Sequence, residues 1–333
     1  MSVMPGSHLD ELDRRIIAAL QIDGRASWTG IAEALDEQER TVARRGTALL
    51  ESGAVRVTGL SVQGEALLVA IRCSRGTGRL AASALAARPD TTFTYLLTGD
   101  VDVLAEVIHP KGKWSALVLD ELPAISGVES CTSYPVLRYY RTVHEWRPPI
   151  LTEQEREVLS TRPTLTPPAT TSEVDLSPTD LAIVRALRED GRRTHDDLAR
   201  IAEVSTTTVR RRVEAMRTDG RVHIHAVVEP ALLGLAVGAV LRISTPPAHV
   251  EEAAQALLES PFVRYAAALA SKHQIIAEVA LPDRDALQRF VTEPDWVADV
   301  SSVEVSLLVD AHKRSGLRAS ASASLDGGHD QRS

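Results

Sequence analysis

The sequence predicts an α+β chain in which a small helical unit and a mixed helix–strand unit each occur twice. Three observations predict it. Residues 9–57 and 176–224 align without a gap at a constant offset of 167, with 16 identities in 49 positions. The stretches after them align again at an offset of 172, LAEV at 104–107 lying over IAEV at 276–279. Within each copy the apolar pattern changes from helical spacing to strand-length runs. The organisation is therefore A1–B1–linker–A2–B2.

Unit A2 shows three helix starts. Ser177 can cap, Pro178 suits the first turn, and Leu181, Val184 and Leu187 recur at helical spacing until Asp190-Gly191. Thr194 with Asp197 resembles a capping box. After a Glu203-Val204 turn, Ser205 can cap a third helix with Val209, Val213 and Met216 inward, ended by Gly220. Residues 222–227 alternate as a strand should. Two short helices and a tight turn make a helix-turn-helix. The outward side of the third helix carries Ser205, Thr206, Thr207, Thr208, Arg210, Arg211 and Arg212, a set suited to base edges and phosphates of double-stranded DNA.

Unit A1 keeps the skeleton but changes the chemistry. Its third helix begins with Glu37, Gln38 and Glu39, whose carboxylates repel phosphate, and then carries Arg40, Thr41, Arg44 and Arg45 as weaker candidates. A1 holds 7 basic and 9 acidic residues, net −2; A2 holds 10 and 8, net +2. A2 is expected to supply most of the DNA affinity.

Unit B1 reads as a strand at 66–73, an alanine-rich helix from Thr77 to Arg88, strands at 91–97 and 101–108 around Gly99-Asp100, a helix from Lys113 to Glu121 and a last strand at 128–140. The order β-α-β-β-α-β is the ferredoxin-like plan, and B2 repeats it. One face of such a sheet is left bare and needs a partner, so a dimer or larger homo-oligomer is expected.

Composition bounds the rest. The chain has 333 residues, 44% hydrophobic and 25% charged, which excludes wholesale disorder. With 3 Phe, 4 Trp and 5 Tyr, single-strand binding on aromatic platforms is disfavoured. The net charge of 37 − 45 = −8 confines any DNA contact to a local basic surface. Two cysteines, Cys73 and Cys131, fit a reducing compartment. The N-terminus has no apolar core and no apolar run reaches a membrane span, so a cytoplasmic protein without membrane contact is expected.

LSPTDLAIVRALREDGR, the stretch VSTTTVRRRVEAMRTDGRV and the β-α-β-β-α-β unit behind them resemble the Lrp/AsnC (feast/famine) family of transcription regulators. The resemblance covers nearly the whole chain and looks like a fused tandem form. It implies two winged helix-turn-helix domains alternating with two ferredoxin-like (βαββαβ) ligand-binding domains. The expected division is a disordered N-terminus 1–8, helix-turn-helix domain 9–62, ferredoxin-like domain 63–146, linker 147–175, helix-turn-helix domain 176–230, ferredoxin-like domain 231–314 and a disordered tail 315–333. The short TEQEREVL run inside the linker could form a helix. The resemblance also implies a small-molecule effector, often an amino acid. The family's effector loop matches at Gly99, Asp100 and Asp102, with Ser133 and, more loosely, Cys131 at the hydroxyl positions of the last strand. In B2 the corresponding Ser271, Gln274, Val303 and Val305 depart from that pattern.

No enzymatic constellation stands out. There is no Gly-rich phosphate loop after a strand and no G-x-S-x-G elbow, so no catalytic residue and no cofactor is expected. His223 and His225 share a strand face but lack a third ligand at a supporting spacing, so no metal is expected. The reading is a DNA-binding regulator answering to a small-molecule effector. The alternative is a ligand-sensing or assembly protein that binds no DNA and acts through partner regulators.

Overall fold

The structure, a computed structural model, describes residues 9–61, 64–160, 176–293, 296 and 300–318. The expected disordered N-terminus, residues 161–175 of the linker and the tail from 319 onward lie outside the described residues.

The first helical unit comprises α1 (Glu11–Ile22), α2 (Trp28–Leu35) and α3 (Glu39–Glu51), followed by β1 (Val55–Leu60). Then come β2 (Glu65–Cys73), α4 (Gly78–Ala87), β3 (Thr91–Leu97) and β4 (Val103–His109). A short α5 (Trp114–Ala116) continues as a π-type turn, Leu117–Glu121, where a regular helix was expected, and β5 (Val128–Arg141) closes the unit. The linker run forms α6 (Glu153–Leu159), started by a Thr152–Glu155 capping box. The second half repeats with α7 (Pro178–Glu189), α8 (His195–Ala202), α9 (Thr206–Thr218), β6 (His223–Val228), β7 (Val237–Ser244), α10 (Val250–Leu258), β8 (Val263–Leu269), β9 (Ile275–Leu281), α11 (Arg284–Thr292) and β10 (Ser302–Arg314). The sequence-expected disorder from 315 is corrected at its start: the chain turns at Ser315-Gly316, and β11 (Leu317–Arg318) pairs back onto β10.

The helix starts follow the capping residues. Ser177, Thr194 and Ser205 accept the N3 amides of α7, α8 and α9; Asp10 and Ser27 do so for α1 and α2. The tight turns after α2 and α8 put Asp36 and Glu203, equivalent residues of the repeat, in the left-handed region at φ 53°.

Spatial order differs from chain order. The two helical units share one core, in which Ile16, Leu20, Ile31 and Val42 join Ile183, Leu187, Leu198 and Val209. The expected wing is not formed within either unit; β1 instead pairs antiparallel with β6 of the other copy, Val55 opposite Val228 and Leu60 opposite His223. Around this seam the halves exchange contacts by an approximate two-fold. Arg25 donates to the carbonyls of Gly191 (2.7 Å) and Arg193 (3.0 Å), and Arg192 donates to those of Gly24 (2.8 Å) and Ala26 (3.1 Å). Gly24 and Gly191 both stand where a Cβ would strike the opposing strand, which is why the repeat carries glycine twice.

The strands of the two B units close on each other. β5 pairs with β2 up to Pro135 and with β8 from Val136. At the equivalent point β10 passes from β7, up to Leu307, to β3, from Leu308. The result is a ring of eight antiparallel strands, β10-β3-β4-β2-β5-β8-β9-β7, closed by the β10–β7 pairing. Helices α4 and α10 cover its outer faces over aliphatic cores. Its inside is filled from both halves by Leu68, Phe93, Tyr95 and Tyr139 with Val240, Tyr265 and Ile276. The bare sheet face thus finds its partner within the same chain. Among the described residues no helix is long and apolar enough to cross a membrane.

Candidate nucleic-acid interface and buried polar chamber

On α9, Val209, Val213 and Met216 are buried, so positions 207, 210 and 211 turn outward. Arg210 and Arg211 are exposed, and no ion pair holds either among the described residues. Arg212 differs. Its guanidinium donates to Asp180 at 3.0 Å and Ser177 at 3.2 Å at the start of α7. Arg45 repeats this bond to Asp10 (2.5 Å) and Asp13 (3.0 Å). Arg212 and Arg45, expected among the outward residues, thus bond the third helix to the first in each unit. Burial raises the pKa of Asp180, but the Ser177 hydroxyl and Arg212 outweigh it and hold it below the usual carboxylate range.

The small hydroxyls are also partly occupied. Ser205 caps Thr208 and lies 2.9 Å from its hydroxyl, and Thr206 donates to Asp196 at 2.7 Å. Thr207, Arg210 and Arg211 make up the outward edge. In the first copy Arg40 and Arg44 are exposed on α3, while Thr41 is half-buried. Three carboxylate side chains, Asp36, Glu37 and Glu39, lie exposed at the leading end of α3.

Of the four residues expected to bind an effector, Gly99, Asp100 and Asp102 lie on the turn between β3 and β4, and Ser133 lies on β5. Gly99, at φ +103°, turns the chain against β10. Asp100 forms an ion pair with Arg242 of β7, which also holds Glu304 at 3.0 Å. Hydrogen bonding to Arg242 is the main reason its pKa is lowered. Asp102 accepts the amide of Cys73 at 2.7 Å. In the second copy Gln274 does the same for Thr245 at 3.0 Å, so this position serves the end of the first strand in both halves. Ser133 sits on β5 opposite Val69, and its contact is with Cys131. No hydrogen bond joins Ser133 to Gly99, Asp100 or Asp102 among the described residues.

A polar cluster inside the strand ring was not singled out from the sequence. Glu106 on β4 is 5% exposed and accepts hydrogen bonds from Thr92 (2.5 Å), Tyr139 (2.9 Å) and Tyr265 (2.7 Å). Burial raises its pKa against the pull of these hydroxyls, and no cation contributes. Its repeat equivalent, Glu278, is bonded to Arg264, to Arg314 at 3.2 Å and to the Tyr95 hydroxyl at 3.0 Å. Offset 172 puts Thr92 at the place of Arg264 and Thr142 at that of Arg314. Beside Glu106 lies a cavity of about 40 Å³. Beyond Arg264 and Arg314 a larger cleft of about 420 Å³ runs past Arg79, Glu229, His312 and Arg318. The signal was present: an acid among Leu, Ala and Val in the middle of a predicted buried strand, in both copies.

His223 and His225 lie on β6. His225 is buried, and its pKa is pushed down to about 3, first by burial and then by His223 and Arg147. His223 stacks on His144 with ring centroids 4.0 Å apart. No group of three or more His, Cys, Asp or Glu stands together for a metal among the described residues.

Two helix-turn-helix units on a closed strand ring, one of them presenting two exposed arginines, define a helix-turn-helix protein with a duplicated body. Residues 9–50 and 176–217 match the family model of the AsnC-type helix-turn-helix domain. Over 142 residues the chain is 30% identical to an uncharacterised HTH-type transcriptional regulator of Pyrococcus horikoshii, covering 90% of that protein and 42% of this one. It is 32% identical over 143 residues to the HTH-type transcriptional regulator FL11 of Pyrococcus abyssi, covering 95% of it and 41% of this chain. The chain belongs to the Lrp/AsnC family of HTH-type transcriptional regulators, in a tandem form. Among solved structures, the siroheme decarboxylase NirDL aligns over 92% of this chain and 93% of its own, with a TM-score of 0.60 and 14% identity, a likeness of fold.

Proposed function

We propose that the chain is a DNA-binding transcriptional regulator, not an enzyme, in which one polypeptide takes the place of a dimer and a small-molecule effector modulates DNA affinity. In this reading the helix-turn-helix and ferredoxin-like domains have the boundaries given above, and α9 supplies most of the affinity. The carrying observation is the outward pair Arg210 and Arg211 on α9, set against the inward, carboxylate-bound Arg212. Thr207 and the two arginines meet the duplex, while Ser205, Thr206 and Thr208 shape the helix start. Arg40, Thr41 and Arg44 on α3 face a second half-site across the approximate two-fold and contribute less because carboxylates precede them. A genome-wide DNA pull-down with the full chain, followed by salt titration of the recovered site, tests the reading. Retention of full affinity by an Arg210→Ala/Arg211→Ala protein counts against it.

A second reading is favoured by the fold-likeness to NirDL over the whole tandem body. NirDL has also been solved with an iron-uroporphyrin III analogue. The cleft past Arg79 and Arg318 offers exposed guanidinium groups of the kind that pair ring carboxylates, while Arg264 and Arg314 on its inner side are bonded to Glu278. In that case the chain acts on a tetrapyrrole acid. Absorbance titration with siroheme, with carbon dioxide release as the second readout, separates the two: a regulator gives neither.

A further inference from the structure

We propose that the effector of this chain binds in the chamber inside the strand ring, as a small primary amine whose ammonium group lodges against Glu106, and not at the Gly99–Asp102 turn. The proposal deepens the regulator reading and rests on it for the link to DNA; the binding itself is independent of DNA.

The first argument is the asymmetry of the repeat. Both halves keep a glutamate in the middle of the corresponding buried strand. Glu278 is neutralised by Arg264 and Arg314. Glu106 faces only hydroxyls, because both arginine positions are threonines in its half. A buried carboxylate without a cation is costly, so its presence here with neither arginine partner points to a cation supplied from outside the chain. The arginines that line the same chamber are already held, Arg264 by Glu278 and Arg314 by Glu229 and Glu278.

The second argument is the wall. Phe93, Tyr95, Tyr139 and Tyr265 gather beside the carboxylate, with successive ring centroids 4.7 to 5.9 Å apart. These rings keep the surroundings of the carboxylate low in dielectric, which strengthens its attraction for an ammonium group. The third is size. About 40 Å³ holds a group the size of one or two waters, hence an ammonium or methylammonium headgroup.

The chamber also touches the DNA-reading layer. Leu60 and His144 line it. Leu60 pairs with His223 across the β1–β6 seam, and His144 stacks on His223. An occupant therefore presses on the strand pair that joins the two helical units.

The test uses the full chain, with calorimetric titration and thermal melts in methylammonium chloride against potassium chloride at equal ionic strength. Saturable binding with a Tm rise of about a few degrees well above Kd is expected. Glu106→Gln should weaken binding at least tenfold. Thr92→Arg, which places at this position the cation found in the other half, should abolish it. No saturable binding above the potassium control, or equal binding by both variants, overturns the proposal and marks Glu106 as a carboxyl satisfied by its hydroxyls; the DNA-reading assignment of α9 survives that result. Binding that leaves DNA affinity unchanged overturns the effector role alone.

Discussion

The guanidinium of Arg212 lies 3.0 Å from the carboxylate of Asp180, tying the third helix of the second unit to its first. The same bond, Arg45 to Asp13 at 3.0 Å, exists 167 residues earlier. Neighbouring arginines of one sequence run thus differ in setting: Arg212 is bonded between helices, and Arg210 and Arg211 are exposed.

Arg212→Ala should lower stability by about 1–2 kcal/mol, since it removes a charge-assisted bond at a site one-third exposed. Urea denaturation measures this. Arg210→Ala and Arg211→Ala should each change stability by less than about 0.5 kcal/mol.

DNA binding should show the reverse ranking. Removing Arg210 and Arg211 together should reduce the slope of log K against log salt by about 2, as expected for two lost phosphate contacts. Arg40→Ala and Arg44→Ala should have smaller effects. Fluorescence anisotropy at several salt concentrations checks both.

The seam between the helical units depends on Arg25 and Arg192, which donate across it to backbone carbonyls. Replacing both by alanine should cost about 3 kcal/mol or more and open β1 and β6 to faster amide exchange. Unchanged exchange at Val57 and Ile224 would show that strand pairing alone holds the seam.

Acid should weaken the protein through His225. Its folded pKa, about 3, lies below the unfolded value near 6.5, so the unfolded state binds the extra proton in between. Stability should fall by up to about 1.4 kcal/mol per pH unit from pH 6.5 down toward 3. His225→Leu should flatten that limb of the pH–stability curve.

Glu106 carries the opposite sign. Its folded pKa is raised, chiefly by burial, so its stabilising contribution is present at low pH and is lost as pH rises through the folded value. Glu106→Gln should therefore be more stable than the native chain at pH 8 and lose that advantage near pH 4, as read from Tm.

Much of this protein was decided locally. The gap-free repeat, the capping residues Ser177, Thr194 and Ser205, and the strand-length apolar runs specified the elements and their order, because caps and periodicity act within a few residues. Arg45 and Arg212 could not be told from Arg44 and Arg211 in the sequence: whether an arginine faces Asp13 or Asp180, or a partner, depends on the angle at which helices cross. The sequence likewise suggested a wing and an outside partner for the sheet. Only the fold decided that β1 pairs with β6 and that the two sheets close on each other, since such pairings join segments more than a hundred residues apart and are chosen by total buried area. Glu106 belongs to the same class. Its place in an apolar strand was visible, but its lack of a cation follows from which side chains the closed ring brings around it.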